Sequence, residues 1–174
     1  MTILTRVNQS FPTFMQTGKM DPVGNSFLIL LKAWMPLMER FLFLLRVLWA
    51  LPNTLLGLAI GGVGLCFGGR ARVRGPAIEF YDGGVKWLIQ RLPHGQFTLA
   101  LTLGHTILGQ TDASLDISRI HEAVHVRQYE RWGPFMLPAY FLSSVYMWLT
   151  GRRFYRDNPF EREAYDADGG EQDA

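Results

Sequence analysis

The sequence predicts an α+β fold, and three observations carry that prediction. Residues 27–69 are almost continuously apolar, as helices in contact with lipid or a core are. Residues 70–109 are punctuated by glycine and proline in the way of short strands and turns. Residues 117–131 carry helical spacing that Gly133-Pro134 closes. The expected order is N-terminal apolar helices, a small, mainly antiparallel sheet of three or four strands, a helix bearing His121-Glu122-Ala123-Val124-His125, and a short C-terminal helix over 160–167.

A chain of 174 residues holds one domain with a sizeable core. Its 48% apolar and 18% charged residues put the charged share below the usual quarter, which favours membrane contact or unusual burial. The net charge of +2 comes without an arginine-rich, aromatic-interleaved stripe, so nucleic acid is not an expected partner. Cys66 is the only cysteine, which excludes an internal disulfide and a thiolate-rich zinc site.

Composition divides the chain into four regions. Residues 1–26 are mixed and polar, lack a cleavable signal pattern, and read as a flexible N-terminus. Residues 27–69 form the membrane-associated helical segment. Its first part, 27–46, is broken by Lys32, Pro36, Glu39 and Arg40, which suits a helix at a membrane surface or docked on the core. Residues 47–69 carry no charge and are long enough to span a bilayer. They read either as one helix kinked at Pro52 or as a hairpin broken there, with Asn53 capping the second half. Gly57 and Gly61, then Gly64 and Gly68, stand four apart and allow close helix contact; the plain alternative is a flexible, loop-like end. Residues 70–168 make the remaining domain, and 169–174 a disordered acidic tail.

Arg70, Arg72 and Arg74 alternate as on a strand with one face toward lipid headgroups or water, and the positive-inside rule would put this end in the cytoplasm. Asp82-Gly83-Gly84 is a hairpin signal, after which residues 85–92 form a return strand or a short helix. Residues 97–109 read as one long strand or a pair bent around Gly104, and 112–116 as polar turn material.

The chemistry lies in the helix over 117–131. Residues four apart share one helix face, so His121 and His125 can direct ring nitrogens at one metal ion. Glu122 lies one position round, able to reach a water at that metal without ligating it. Such a zinc site needs a third protein ligand. His94 and His105 remain, and the downstream carboxylates are better placed.

Here the chain resembles HExxH zinc metallopeptidases of the gluzincin type, whose third ligand is a glutamate on a later helix. The resemblance rests on His121-Glu122-Ala123-Val124-His125 and Glu161-Arg162-Glu163-Ala164 and covers roughly the last third of the chain. Leu103-Gly104-His105-Thr106 also looks like small, bacterial, membrane-associated proteins of this kind. The resemblance implies a zincin-like arrangement of the two helices, one zinc ion per chain on His121, His125 and Glu161, and Ala164 packing beneath the third ligand. Glu163 is the other candidate for that ligand. Tyr165 stands where several relatives have aspartate, so Asp166 or Asp168 would have to substitute.

The expected activity is peptide-bond hydrolysis by zinc-activated water with Glu122 as proton shuttle, in a membrane-associated protein of the bacterial inner membrane, zinc domain on the cytoplasmic side. Tyr155, Tyr165 and His105 are the oxyanion-donor candidates, though His105 reads first as a hydrogen-bonded core or rim histidine. The expected partners are the lipid membrane and a peptide or protein substrate, which strand 97–103 can pair with by edge addition. The alternative is a non-catalytic zinc-stabilised scaffold or binding module. A last expectation concerns the uncharged run 134–150: if Glu161 shares a metal with the histidines, this run cannot cross the membrane and must lie at its surface, dip and return, or pack on 47–69.

Overall fold

The computed structural model describes residues 22–92 and 95–169, and the fold is mixed helix and strand with one small four-stranded sheet. Of the expected flexible N-terminus 1–26, residues 1–21 lie outside the described residues, as do the turn residues Pro93 and His94 and tail residues 170–174, while 22–26 are helical. The chain divides into two compact units, 1–43 and 44–174. In the first, the described residues are all helical, and Trp34, Leu37, Met38 and Phe41 are exposed.

One helix, α1 (Pro22–Cys66), replaces the several expected N-terminal helices. Its stretch Trp34–Cys66 is long and apolar enough to cross a membrane, with mean hydropathy 1.7. Of the two readings of Pro52-Asn53, the single helix is the one found, and the hairpin break does not occur. Proline costs an internal helical hydrogen bond, but the next turn is held by tertiary ones. Asn53 Nδ2 donates to Gly133 O at 2.9 Å, and Thr54 Oγ1 accepts from His105 N at 3.0 Å. Asn53 is thus a cross-link and not a cap.

The sheet has the order β1-β2-β4-β3. Strands β1 (Arg70–Arg74) and β2 (Ala77–Tyr81) pair antiparallel, as do β3 (Ala100–Leu103) and β4 (Thr106–Gly109). The central β2–β4 pair is parallel, the one departure from an antiparallel sheet. Residues 97–109 are therefore the bent pair, turning at Gly104 with φ 63°, a conformation open to glycine. The first hairpin turns at Gly75-Pro76 and not at Asp82-Gly83-Gly84. Those residues open α2 (Gly83–Ile89) instead, with Asp82 O accepting from Val85 N and Lys86 N at 3.1 and 3.2 Å.

Arg72 and Arg74 are not free for headgroups: Arg72 pairs with Glu79, Asp112 and Asp116, and Arg74 with Glu79 and Asp116. Residues 112–116 also differ from the expected turn. They belong to α3 (Asp112–Ile117), whose N-cap Thr111 Oγ1 accepts from Ser114 N at 3.1 Å. The motif helix α4 (Arg119–Trp132) ends at Gly133, and a 3-10 turn (Gly133–Phe135) leads into α5 (Met136–Leu149). Asn158 caps α6 (Pro159–Asp168) through Phe160 N at 3.0 Å, with proline at the first helical position, where its missing N–H costs nothing.

The glycines of α1 settle the competing readings of their spacing. A Cβ on Gly57 would stand 2.6 Å from Thr106 Cβ, one on Gly61 2.4 Å from the Phe80 ring, and one on Gly64 2.4 Å from Val85 Cγ2. They let the helix backbone press onto β2, β4 and α2, so the close contact is with the domain's own sheet. Gly68 instead lies past the helix end, with φ 79°. The main core, which includes Phe80, Val85, Leu108, Tyr129, Met136 and Phe160, fills the space behind this contact.

Candidate metal centre

The helical repeat puts His121 and His125 one turn apart on α4, and both rings are buried, their Nε2 atoms 3.1 Å apart. Helix α6 brings Glu161 to the same point. Its Oε2 lies 3.3 Å from His121 Nε2 and its Oε1 3.5 Å from His125 Nε2. The ligand atoms of the three residues all lie within 4.8 Å of one another, and the group could hold a metal ion.

Hydrogen bonds fix which atoms face the centre. The Gln128 amide nitrogen donates to Phe160 O at 2.9 Å and Glu163 Oε2 at 3.0 Å. Its Oε1 must then accept from His125 Nδ1, 2.9 Å away, which places the imidazole proton on Nδ1 and leaves the Nε2 lone pair for the centre. Tyr140 OH donates to Glu161 Oε1 at 2.7 Å. Glu161 Oε2 is buried and makes no hydrogen bond. A buried carboxylate oxygen left so is costly. Beside two imidazole nitrogens, it is what a bound cation would satisfy, so the donor set fits a metal ion.

The electrostatics match. Burial alone would raise the Glu161 carboxyl, but His121, His125 and Tyr140 outweigh it and hold it below the ordinary range. Burial would likewise lower His121, yet Glu161 and Glu122 push it up. Glu122 goes the other way: burial dominates over the opposing pull of His125 and Thr102, and its proton affinity rises. Thr102 Oγ1 on β3 donates to Glu122 Oε2 at 2.6 Å, fixing the carboxylate next to the histidines but outside the three-residue group.

The other candidates fall on both sides of the site. Glu163 is held by Gln128 and Arg131 and does not join the histidines. Ala164, fully buried, sits one turn after Glu161. Tyr165 lies edge-on to His121 with ring centroids 4.9 Å apart. The Tyr155 phenol is pushed up by burial and by the Glu161 charge. His105 sits in the β3–β4 turn, where its Nε2 meets Glu130 Oε1 at 3.3 Å, so its role is at the rim of the core. His94 lies outside the described residues.

Sequence reasoning passed over three supporting residues, Tyr140, Thr102 and Asn158, of which the first two carried no signal strong enough to single them out. The last had one, since Asn-Pro is a cap followed by a first-turn proline. Asn158 Nδ2 donates to Tyr140 O and Ser144 Oγ at 3.1 and 2.8 Å, and so ties α5 to the start of the ligand helix. Comparison of the chain with known protein families, curated proteins and solved structures finds no match.

Proposed function

We propose that this chain is a membrane-associated, zinc-dependent metallopeptidase-like hydrolase of zincin-like arrangement, with His121, His125 and Glu161 as ligands and Glu122 as general base. The observation that carries the reading is the convergence of two imidazoles on a buried carboxylate whose Oε2 has no hydrogen bond, with Glu122 fixed alongside. Two neutral nitrogens, one carboxylate and no thiolate suit zinc in a site with an open position. When bound, zinc supplies Lewis acidity, polarising a carbonyl and acidifying water.

The remaining work falls to the chain. Glu122, its proton affinity raised by burial, takes a proton and returns it to the leaving amine. Tyr140 and Gln128 hold the ligands in orientation. Strand β3 lies at the sheet edge and carries Thr102, the partner of Glu122. An extended peptide added to that edge would run past the base, which supports a peptide substrate. The long apolar α1 supports a lipid partner.

Metal analysis and peptide hydrolysis on purified variants test this. The wild type should hold one zinc per chain, His121→Ala none, and Glu122→Gln the full complement with hydrolysis reduced ~100-fold or more. Stoichiometric zinc in His121→Ala would defeat the ligand assignment, and metal loss in Glu122→Gln the base assignment. The burial of His121, Glu122, His125 and Glu161, 3–8% exposed, favours a second reading as a zinc-stabilised scaffold. Zinc-loaded wild type that hydrolyses no peptide would select it.

A further inference from the structure

We infer that the uncharged stretch of α1 does not cross the bilayer but lies in its plane, one side in anionic lipid and the other carrying the sheet. This stands apart from the metal reading. The second unit holds α1 from residue 44 onward. Along this part Ala50, Asn53, Thr54, Gly57, Gly61 and Gly64 are buried. They are tied to the domain by Asn53 to Gly133 O, by Thr54 to His105 N, and by glycines in contact with Thr106, Phe80 and Val85. The same sheet carries the Arg72–Glu79–Asp112–Asp116 ion-pair network, whose Asp112 and Asp116 side chains are exposed and belong in water. A span over residues 47–66 would drag that sheet into hydrocarbon, where open sheet edges are not tolerated. Shifting the span toward the N-terminus does not rescue it, because Lys32, Glu39, Arg40 and Arg46 then enter the membrane.

The opposite side of the helix is apolar and open. Leu45, Leu48, Trp49, Leu55, Leu56 and Val63 recur at three-, four- and seven-residue steps, and each is 45–61% exposed. A helix buried on one side and apolar on the other fits an interfacial position. Lipid is the occupant that the rest of this surface matches. An apolar cavity of about 890 Å³ opens between α1 and α2, walled by Ile60, Val63, Phe67, Trp87 and Leu88, with room for hydrocarbon and little to bond a polar ligand. On α2, exposed Trp87 has the Arg91 guanidinium 3.8 Å from its ring centroid, an interfacial aromatic beside a cation. Among the described residues no carboxylate pairs with Lys86 or Arg91, which leaves both charges for anionic headgroups.

The test reads depth. In a Cys66→Ser background, single cysteines replace Leu45, Leu56 and Val63, all exposed, and carry an environment-sensitive fluorophore. The full chain is bound to vesicles of phosphatidylcholine and phosphatidylglycerol with quenchers at known depths. An in-plane helix puts all three labels at one shallow depth, although at 1.5 Å per residue they lie ~16 and ~27 Å apart along the axis. Depth that changes steadily from 45 to 63 would overturn the inference in favour of a span. Absence of quenching at all three positions would overturn it too, and would assign the face to a second copy or another protein. Vesicles of phosphatidylcholine alone should bind more weakly, and equal binding would remove the role of Lys86 and Arg91.

Discussion

At the scale of single residues, the His121–His125–Glu161 centre is set by groups outside it. Tyr140 reaches Glu161 from α5, and Gln128 reaches His125 while its nitrogen holds Phe160 O and Glu163. Partners of this kind hold ligand orientation, and their loss commonly costs 10–100-fold in metal affinity, as an order of magnitude. Tyr140→Phe should weaken zinc binding by about that factor in a chelator-competition titration, with folding changed by only ~1 kcal/mol. Unchanged affinity would mean that the hydroxyl merely satisfies an acceptor. The motif residues were legible because helix geometry alone fixes the i, i+4 relation of His121 and His125. Glu161 was legible only through its resemblance to a known pattern. Tyr140 and Thr102 were not legible, since each acts across a packing contact that no local spacing encodes.

At the scale of elements, the docked half of α1 shows where hydropathy misleads. A charge-free window reads the same whether lipid or a sheet covers it, because both accept apolar and small residues. The glycine face separates the two cases, and its meaning depends on Phe80, Thr106 and Val85 being opposite. Gly61→Leu should therefore destabilise the fold by roughly 1–3 kcal/mol or more through overpacking, read as a lower denaturant midpoint. Gly62→Leu, where a Cβ meets nothing within 4 Å, should leave the midpoint nearly unchanged. Equal effects at the two positions would mean that the helix does not press on the sheet through this face. The hairpin misread at Asp82-Gly83-Gly84 has a similar origin. These residues make a tight turn, but Val85 and Ile89, buried as a helical pair, decide that a helix and not a strand leaves it. Helix α5 occupies most of the uncharged run 134–150. It is 14 residues long, and the chain after it brings Glu161 back to the histidines.

At the scale of the whole molecule, a metal held as proposed would compete with protons for the same atoms. Without metal, the depressed Glu161 contributes stability that is present above its ordinary pKa of 4.5 and lost as pH falls below it. His121 is raised, so its contribution is present below 6.5 and lost as pH rises through the folded value. Glu122 is raised as an acid, so its burial costs more as pH climbs past 4.5. The metal-free protein should therefore lose stability toward alkaline pH. A bound metal needs the ligands deprotonated and stabilises only the folded chain. The gain in Tm on adding zinc should then grow from about pH 5 to pH 8. A gain that is flat, or shrinks with pH, would separate zinc binding from these three residues.

The place of Glu161 along the chain also gives the protein a schedule. Helix α1 comes first and α6 last among the described elements, so during synthesis the long apolar helix leaves the ribosome well before Glu161 does. Until α6 docks, two histidines alone face the centre, and the Gln128 latch that would orient one of them has neither Phe160 nor Glu163 to hold. On the proposed function, metal uptake and hydrolysis would therefore begin only once α6 has been made and docked. A chain ended at Asp157 should still bind vesicles like the full protein and take up no zinc at concentrations that saturate the intact chain.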